Sequence, residues 1–316
     1  MSRALDVSYA IGIDLGGSNV KTLAVDEKGK VLEKVSYSTH DDGKTRRWSE
    51  SVYAALADLE KKMGAAAAFT GLAAPGLASP DRRSIGHMPP GRLNGLQGLD
   101  WTTFLKRDHL VPVLNDAHAS LLGEVWIGAA AGCKNAILLT LGTGVGGAIL
   151  CEGRLLHGPL GRAGHLGHVC LHVEGEPDIT GMPGSLEWAM GNATVAKRSN
   201  GKFHSARELV EAHRDGNKEA TRLWLKSVRY LACGIASFVN ILDCEVVILG
   251  GGIAQAGEAL FDPLQKELDA IEWRPDGHQV RLVQAALGDF AGAIGAARNG
   301  MIHSFSGSNK ELAPKR

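Results

Sequence analysis

Two adjacent residues, Asn115 and Asp116, combine an amide with a carboxylate that could act as a base toward a bound ligand. They follow an apolar run at residues 110–114 and precede a segment with helically spaced apolar residues, namely Leu121, Leu122, Val125 and Trp126. This pattern predicts a carboxylate at a strand end and a helix start, where a buried acid can meet a ligand. Asp is also a favoured helix N-cap residue, so a purely structural role for Asp116 is the alternative.

Three glycine-rich segments have a composition that suits phosphate binding. They lie at residues 15–19, 142–147 and 250–252, and each directly follows a short apolar run. Phosphate binds where backbone N–H groups converge without side chains in the way, which glycine permits. None of the three has the P-loop spacing, and residues 142–147 lead into a hairpin rather than the helix of a dinucleotide-binding fold. One such loop alone is more typical of a tight turn.

The elements that position these loops are predicted to occur twice in the same order. A strand, a glycine loop and a hairpin are expected at about residues 10–37 and again at 135–156, where the second hairpin turns at Glu152 and Gly153. The first three strands are expected to be antiparallel neighbours. The repeated order favours two similar halves that hold a nucleotide between them.

Periodicity and stop signals predict the remaining elements. Helices are expected at residues 48–63, from about Ser185, after a capping box at 205–208, at 218–242 and at 290–301. Further strands are expected at residues 69–74, 110–114, 245–249 and 280–285. Residues 77–101 show no period and are predicted to form a long irregular loop, a feature that is usually functional. The polar tail after His303 is expected to fray.

Length and composition limit the class of protein. The 316 residues, of which 44% are hydrophobic and 22% charged, can bury an ample core and suggest two domains. The 34 basic residues balance the 34 acidic ones, which argues against a nucleic-acid partner. The five cysteines are odd in number and widely spaced, which favours neither disulfides nor a cysteine-rich metal site. No apolar leader or 18-residue apolar run occurs, so a soluble cytoplasmic protein without a membrane segment is expected.

Five motifs taken together resemble those of a known superfamily. Residues 14–21, 141–147 and 247–253 look like the phosphate 1, phosphate 2 and adenosine motifs of the actin-like ATPases. Asn115-Asp116 and residues 164–168 resemble, more narrowly, the ROK family of sugar kinases and related repressors. The resemblance covers about residues 8–302. It implies a two-domain α/β fold of the actin-like ATPase (ribonuclease H-like) type with a central cleft.

The resemblance also implies domain bounds, an activity and its cofactors. An N-terminal α/β domain of residues 1–117, joined by a C-terminal helix at about 290–316, is expected beside a larger C-terminal α/β domain of residues 118–289. ATP with Mg²⁺ would phosphorylate a hydroxyl of a hexose or hexose derivative, as in a glucokinase. Such proteins are usually homodimers. A carboxylate within hydrogen-bond reach can accept the proton of the sugar hydroxyl as its bond to phosphorus forms.

Individual roles follow from the same resemblance. Asp116 would be the catalytic base, and the substrate-binding residues would be Asn115, His165, His168, Glu187, Gly76 and Arg92. The nucleotide-binding residues would be Asp14, Gly16, Gly17, Ser18, Lys21, Thr143, Gly144, Gly250, Gly251 and Gly252. Asp14 would lie nearest the metal. For Lys21, a strand lysine that merely faces solvent is an equal alternative.

The chain departs from the family pattern at three places, one of which is Arg92, where a loop asparagine is common in the family. The usual Glu-x-Gly-His is here His165-Leu-Gly-His168, so an imidazole replaces a sugar-contacting carboxylate. The family's zinc site combines that last His with three Cys, whose positions here hold Asp178, Thr180 and Ser185. Neutral hydroxyls are poor zinc ligands, so no structural zinc is expected. Ordinary loop histidines are the alternative for His165 and His168.

Two other classes of function are weighed against a kinase. A sugar-responsive repressor of this family carries an N-terminal helix-turn-helix, whereas this chain reaches Asp14 almost at once. A catalytically inactive sugar-binding member would explain the lost Glu and the lost cysteines. Retention of Asp14, Asp116 and all three glycine loops favours the enzyme.

Overall fold

The computed structural model describes residues 8–305 and divides them into two compact units. Unit 1 takes in the described residues up to Ala131, together with His157–Ala163 and the residues from Asp289 onward. Unit 2 comprises Gly132–Leu156 and Gly164–Gly288. The amino terminus and the tail beyond Phe305, where the sequence predicts no leader and a frayed end, lie outside the described residues.

Strands and helices occur in both units. The strands are β1 (Tyr9–Leu15), β2 (Asn19–Asp26), β3 (Val31–Ser38), β4 (Phe69–Ala74), β5 (Leu77–Ala78), β6 (Ile85–His87), β7 (Val113–Asn115), β8 (Ala136–Leu141), β9 (Val145–Cys151), β10 (Arg154–Leu155), β11 (Val246–Gly250) and β12 (Arg281–Gln284). The helices are α1 (Trp48–Met63), α2 (Trp101–Phe104), α3 (Asp116–Ile127), α4 (Leu186–Met190), α5 (Val195–Arg198), α6 (Ala206–Arg214), α7 (Lys218–Leu242), α8 (Glu258–Ile271) and α9 (Ala291–Phe305).

The two main sheets have the same strand order. Unit 1 contains a five-stranded sheet with the order β3-β2-β1-β4-β7, and unit 2 contains one with the order β10-β9-β8-β11-β12. In each sheet the first three strands are antiparallel, and the last two run parallel to the central strand. The repeated order predicted from the glycine loops is therefore confirmed at the level of strand pairing.

Two predictions of secondary structure differ most from the structure, and a third, the strand expected at residues 110–114, is shorter and spans Val113–Asn115. Residues 77–101, expected to be irregular, contain the small antiparallel pair β5–β6, because strands of two and three residues are too short to show a period. Helix α8 is not predicted at all, because Pro263 lies inside it and a proline inside a helical pattern normally indicates a break. The stop of α1 at Gly64 is confirmed, with a left-handed φ of 76°.

Helix α9 packs on the sheet of unit 1 with backbone against backbone. A Cβ at Gly12 of β1 would lie 1.8 Å from the carbonyl oxygen of Ala293, and one at Gly71 of β4 would lie 1.9 Å from that of Ala296. On the other side of the helix, a Cβ at Gly295 would lie 1.7 Å from the carbonyl oxygen of Ala119 in α3. Glycine at these positions permits the close approach. The packing of α3 on α9 also explains why unit 1 extends past residue 117, the predicted domain boundary.

Helix α7 is the helix within residues 8–305 that is long and apolar enough, by length and composition, to cross a membrane. Its apolar side lies in the core of unit 2, where Leu223, Trp224, Val228, Leu231, Ile235 and Phe238 are buried. The opposite side carries exposed charges at Arg222, Lys226 and Arg229. This two-sided pattern is typical of the core helix of a globular unit.

Gly295→Ala tests the packing of α9. The added methyl group would overlap the backbone of α3, so we expect a loss of about 3 kcal/mol or more in the free energy of unfolding. Urea denaturation followed by circular dichroism measures it. The matched control is Gly234→Ala in α7, where a Cβ would meet Leu186 at an ordinary 3.4 Å and helix propensity favours Ala. Equal stability of both variants would contradict the packing described here.

Candidate active site

Asn115 and Asp116 lie at the junction of β7 and α3, as the sequence predicts. The Asn115 side chain caps the helix, because its Oδ1 accepts hydrogen bonds from the backbone N–H groups of Ala117 at 2.9 Å and His118 at 3.4 Å. Its Nδ2 donates to the carbonyl oxygen of Gly76 at 3.0 Å, which leaves one N–H for a ligand. Asn115, not Asp116, is therefore the N-cap residue.

Asp116 is exposed at the N-terminus of α3. Its Oδ1 accepts a hydrogen bond from the backbone N–H of Ala117 at 2.9 Å. The positive end of the helix dipole favours the ionised carboxylate at this position. Asp116 thus combines the exposure and the charge that a proton acceptor needs.

Asp14 lies near the end of β1 and is partly buried. Burial raises its pKa from 3.8 to about 7, the negative charge of Asp116 adds to this rise, and the ammonium of Lys21 opposes it. The start of α9 closes on the same carboxylate, since a Cβ at Gly292 would lie 2.7 Å from its Oδ2. Lys21 also lies 3.6 Å from the exposed Asp289. The negative charges of Asp14 and Asp116 are only partly balanced by Lys21. Two carboxylates arranged in this way suit a divalent cation.

Gly16 and Gly17 form the tight loop between β1 and β2. The N–H of Gly16 donates to the carbonyl oxygen of Asn19 at 3.0 Å. The hydroxyl of Thr39 donates to the carbonyl oxygen of Gly16 at 2.7 Å. A Cβ at Gly17 would lie 2.1 Å from the guanidinium of Arg92, so this cation rests on the bare backbone of the loop. The sequence places Arg92 among the sugar ligands, whereas the structure places it beside the loop predicted to bind phosphate. A guanidinium suits phosphate oxygens.

In unit 2, two of the predicted nucleotide loops line one pocket of about 600 Å³. Gly142 and Thr143 lie on one wall, and Gly252 lies on another. The loops approach closely because Gly251 has a φ of 84°, and a Cβ there would lie 2.4 Å from the carbonyl oxygen of Leu141. The volume falls within the range of small-molecule and cofactor sites.

Other residues of this pocket are missed by the sequence analysis. They come from α6, from the turn before α5 and from the 3₁₀ turn after β11, and include Asn192, Arg207, Glu211 and Gln255. None belongs to a motif of recognisable spacing. Tertiary packing alone brings them together.

Three polar side chains come together, two from the segment after β10 and one from α4. Nδ1 of His168 lies 2.8 Å from Oδ2 of Asp178, and Oε2 of Glu187 accepts a hydrogen bond from the N–H of Val145 at 3.0 Å. One ligand atom from each of His168, Asp178 and Glu187 lies within 4.8 Å of the others. Glu187 also lies against Gly144, where a Cβ would be 2.2 Å from its Oε2. His165 is partly buried at the start of the same 3₁₀ turn, Leu166–His168.

The donor set at the family's zinc position does not fit zinc. Oδ1 of Asp178 accepts hydrogen bonds from the N–H and hydroxyl of Thr180 at 2.8 and 2.7 Å and from the N–H of Met182 at 3.1 Å. Burial alone would raise the pKa of Asp178, but hydrogen bonds from His168, Thr180 and Ser185 hold it well below its usual range. Two of the four positions offer neutral hydroxyls, and the oxygen of Ser185 already caps α4. The expectation of no structural zinc stays a prediction.

The sequence model of the ROK family matches residues 10–299. This chain belongs to the ROK family. It is 33% identical to a glucokinase of Thermotoga maritima, with 91% of this chain and 95% of that protein covered. The solved ROK hexokinase of Thermus thermophilus superposes with a TM-score of 0.79 at 31% identity, covering 93% of this chain and 98% of that one.

A second solved ROK structure is the glucokinase of Streptomyces griseus in complex with glucose and AMPPNP. It matches with a TM-score of 0.75 at 26% identity, over 93% of this chain and all of that one (100%). With the repeated sheet order described above, these likenesses establish the α/β fold of the actin-like ATPases that the sequence predicts.

Asp14→Asn tests the burial of this carboxyl group. A group whose pKa rises on folding from 3.8 to about 7 lowers stability progressively as pH increases through that interval. The neutral variant should therefore melt about 2–5 °C above wild type at pH 8, with a difference that shrinks toward pH 5. Differential scanning calorimetry without metal or nucleotide measures it. Asp262→Asn, at an exposed position on α8, is the control and should show no such trend.

Proposed function

We propose that this protein transfers the γ-phosphoryl group of ATP to a hydroxyl of a hexose or hexose derivative. The observation that carries this proposal is the exposed Asp116 carboxylate at the start of α3, held in place beside the helix-capping Asn115. Membership of the ROK family and the likeness to a glucokinase support an ATP-dependent sugar kinase. The Streptomyces griseus relative, which binds glucose and AMPPNP, supports the same two substrates.

Asp116 would orient the sugar hydroxyl and accept its proton. A sugar hydroxyl is a poor nucleophile at neutral pH, and a carboxylate in hydrogen-bond reach makes attack on phosphorus easier. The positive end of the α3 helix dipole favours the negative charge of this carboxylate. Asn115 would donate its remaining N–H to a sugar oxygen, while the hydrogen bond from its other N–H to the carbonyl oxygen of Gly76 holds the side chain in place.

Unit 2 would bind the nucleotide in the pocket between Thr143 and Gly252. In unit 1, the loop at Gly16 and Gly17 has no side chains in the way of phosphate, and the N–H of Gly17 would donate to it, with Arg92 as an added cation. The Asp14 carboxylate fits Mg²⁺ because burial and the charge of Asp116 disfavour its ionised form without a cation. Bound Mg²⁺ would neutralise charge on the phosphoryl oxygens. We extend the proposal to a homodimer in the cytoplasm, as the family resemblance implies.

The sugar would differ from that of an ordinary glucokinase at the hydroxyls nearest His165 and His168. Nδ1 of His168 contacts Asp178, so Nε2 is the ring nitrogen that faces away from this contact and would meet a sugar hydroxyl. A neutral imidazole at His165 offers one acceptor and one donor, where a glutamate would offer a charged acceptor to two hydroxyls. A hexose derivative with an acceptor at this place, such as an acylated amine or a keto group, is therefore favoured over glucose.

Asp116→Asn tests the base. The amide keeps the shape of the side chain but cannot take a proton, so kcat should fall about 10²–10⁴-fold. Sugar affinity should stay within about tenfold, because the amide retains one acceptor. A coupled ATPase assay across a panel of hexoses measures kcat, and calorimetry measures affinity. Asp108→Asn, at a 99% exposed carboxylate in unit 1, should keep full activity. A wild-type protein that binds sugar but turns over none would point to an inactive member instead.

His165→Glu tests the sugar specificity. Restoring a charged acceptor opposite a hydroxyl is worth roughly 1.5–3 kcal/mol, so glucose kcat/KM should rise about ten- to hundredfold. The low-pH limb of the activity profile should also move, because a carboxylate replaces an imidazole, the side-chain type whose ordinary pKa lies near neutrality. Assays on glucose and on amino, N-acetyl and keto sugars between about pH 5.5 and 8.5 measure both effects. The control is His278→Glu, which makes the same substitution at an exposed position outside the proposed sugar site. An unchanged sugar ranking and profile would remove His165 from the sugar site.

A further inference from the structure

Unit 2 contains another cavity, of about 210 Å³, whose lining includes none of the residues assigned above. Three of its lining side chains are basic and come from three separate segments: His172 from the loop before α4, Arg198 from α5 and Lys226 from α7. No Asp or Glu occurs among the described residues that line it. The remaining lining includes two aromatic side chains, Trp188 of α4 and Tyr230 of α7, together with Ala189 and Leu223.

Arg198 is the group that gives this cavity its chemistry. Its guanidinium donates to the hydroxyls of Thr194 at 3.0 Å and Ser227 at 2.6 Å and to the carbonyl oxygen of Gly191 at 3.3 Å. All three acceptors are neutral, and within residues 8–305 no carboxylate forms an ion pair with Arg198. Burial lowers the pKa of Arg198 to about 10, with no acidic group acting against it.

A buried cation without a counter-charge is costly unless a ligand supplies one. The guanidinium has five N–H donors, of which the three contacts above use three, so two are left for an anion. Lys226 adds a second charge on the same cavity, and Nζ of Lys197 lies 5.8 Å from the ring centre of Trp188. Convergent guanidinium and ammonium groups bind phosphate and carboxylate oxygens strongly.

We propose that this cavity is a binding site for a small phosphorylated organic molecule. The phosphate would lie between Arg198 and Lys226, and a short carbon skeleton would lie against Trp188 and Tyr230. The volume is below the range of about 300–1,000 Å³ of most drug-sized ligands, which favours a compact phosphomonoester over a nucleotide.

The cavity is adjacent to residues of the proposed nucleotide and sugar sites. Helix α4 carries Trp188 on the cavity wall and Glu187 against Gly144. Arg198 holds the carbonyl oxygen of Gly191, and a Cβ at Gly191 would lie 3.1 Å from the carbonyl oxygen of Thr143. If the proposed function holds, the ligand acts as an effector through α4. Binding itself does not depend on kinase activity.

Calorimetric titration of the full chain with glycerol 3-phosphate, in parallel with inorganic phosphate, tests the site. We expect the ester to bind more tightly, because only it contacts the apolar wall. Lys226→Gln should weaken binding of the ester roughly tenfold or more, since one charged contact is lost. The matched control Lys266→Gln removes the same charge from an exposed position on α8 and should bind like wild type. Arg198→Lys keeps the charge but loses the planar guanidinium that binds two oxygens at once. It should weaken binding of the ester at least as much as Lys226→Gln does.

Three results would overturn the proposal. The first is no binding of the ester at millimolar concentration, and the second is equal affinity for the ester and inorganic phosphate. The third is wild-type affinity in Lys226→Gln, which would show that the anion binds elsewhere, for example at the nucleotide loops. If Arg198→Lys fails to fold by circular dichroism, Lys226→Gln decides the question alone, because Lys226 is exposed on α7.

Discussion

The burial of the Asp14 carboxylate beside Asp116 is the constraint on which the arrangement of unit 1 depends. Apolar residues of β1 such as Ile11 and Ile13 are fully buried. Asp14 follows them near the end of the same strand. The loop after Asp14 consists of glycines without side chains, and the start of α9 at Gly292 packs against the Asp14 carboxylate. In the free protein, burial and the charge of Asp116 disfavour the ionised form of Asp14, and a bound cation would offset that cost. Groups held in this way are typical of functional sites, where stability is traded for binding.

The sequence predicts the repeated halves and the chemistry of the loops because both depend on local residue types. A glycine after an apolar strand, or a turn such as Glu152-Gly153, sets the backbone conformation over only a few residues. The two sheets have the repeated strand order that these local signals predict. Helix α8 is not predicted from the sequence because Pro263 lies inside it. Whether a helix accommodates an internal proline depends on its tertiary packing, which the sequence pattern does not show. The position of Arg92 over Gly17 is equally invisible, since it depends on how a long loop folds back on β1.

The loop before α4 shows how one carboxylate can organise a segment through hydrogen bonds alone. The Asp178 side chain is 1% exposed and accepts hydrogen bonds from His168 and Thr180, among other donors. Such a network is directional, so it fixes the orientation of the His168 ring as well as the path of the chain. Ser185 joins this network to α4, the helix that carries Glu187. This chain of contacts continues from Glu187 to Gly144 and Val145, so the loop before α4 is connected to the glycine loop at residues 142–147.

Helix α9 also has a consequence for the order of events during synthesis on the ribosome. Helix α1 covers one face of the first sheet, whereas Gly12 and Gly71 on the other face are covered by residues 291–305. That second face stays exposed to water until almost the whole chain has been translated. Unit 2, whose sequence ends at Gly288, can complete its core earlier. Although domains generally fold in the order of synthesis, the half made first is here the half completed last.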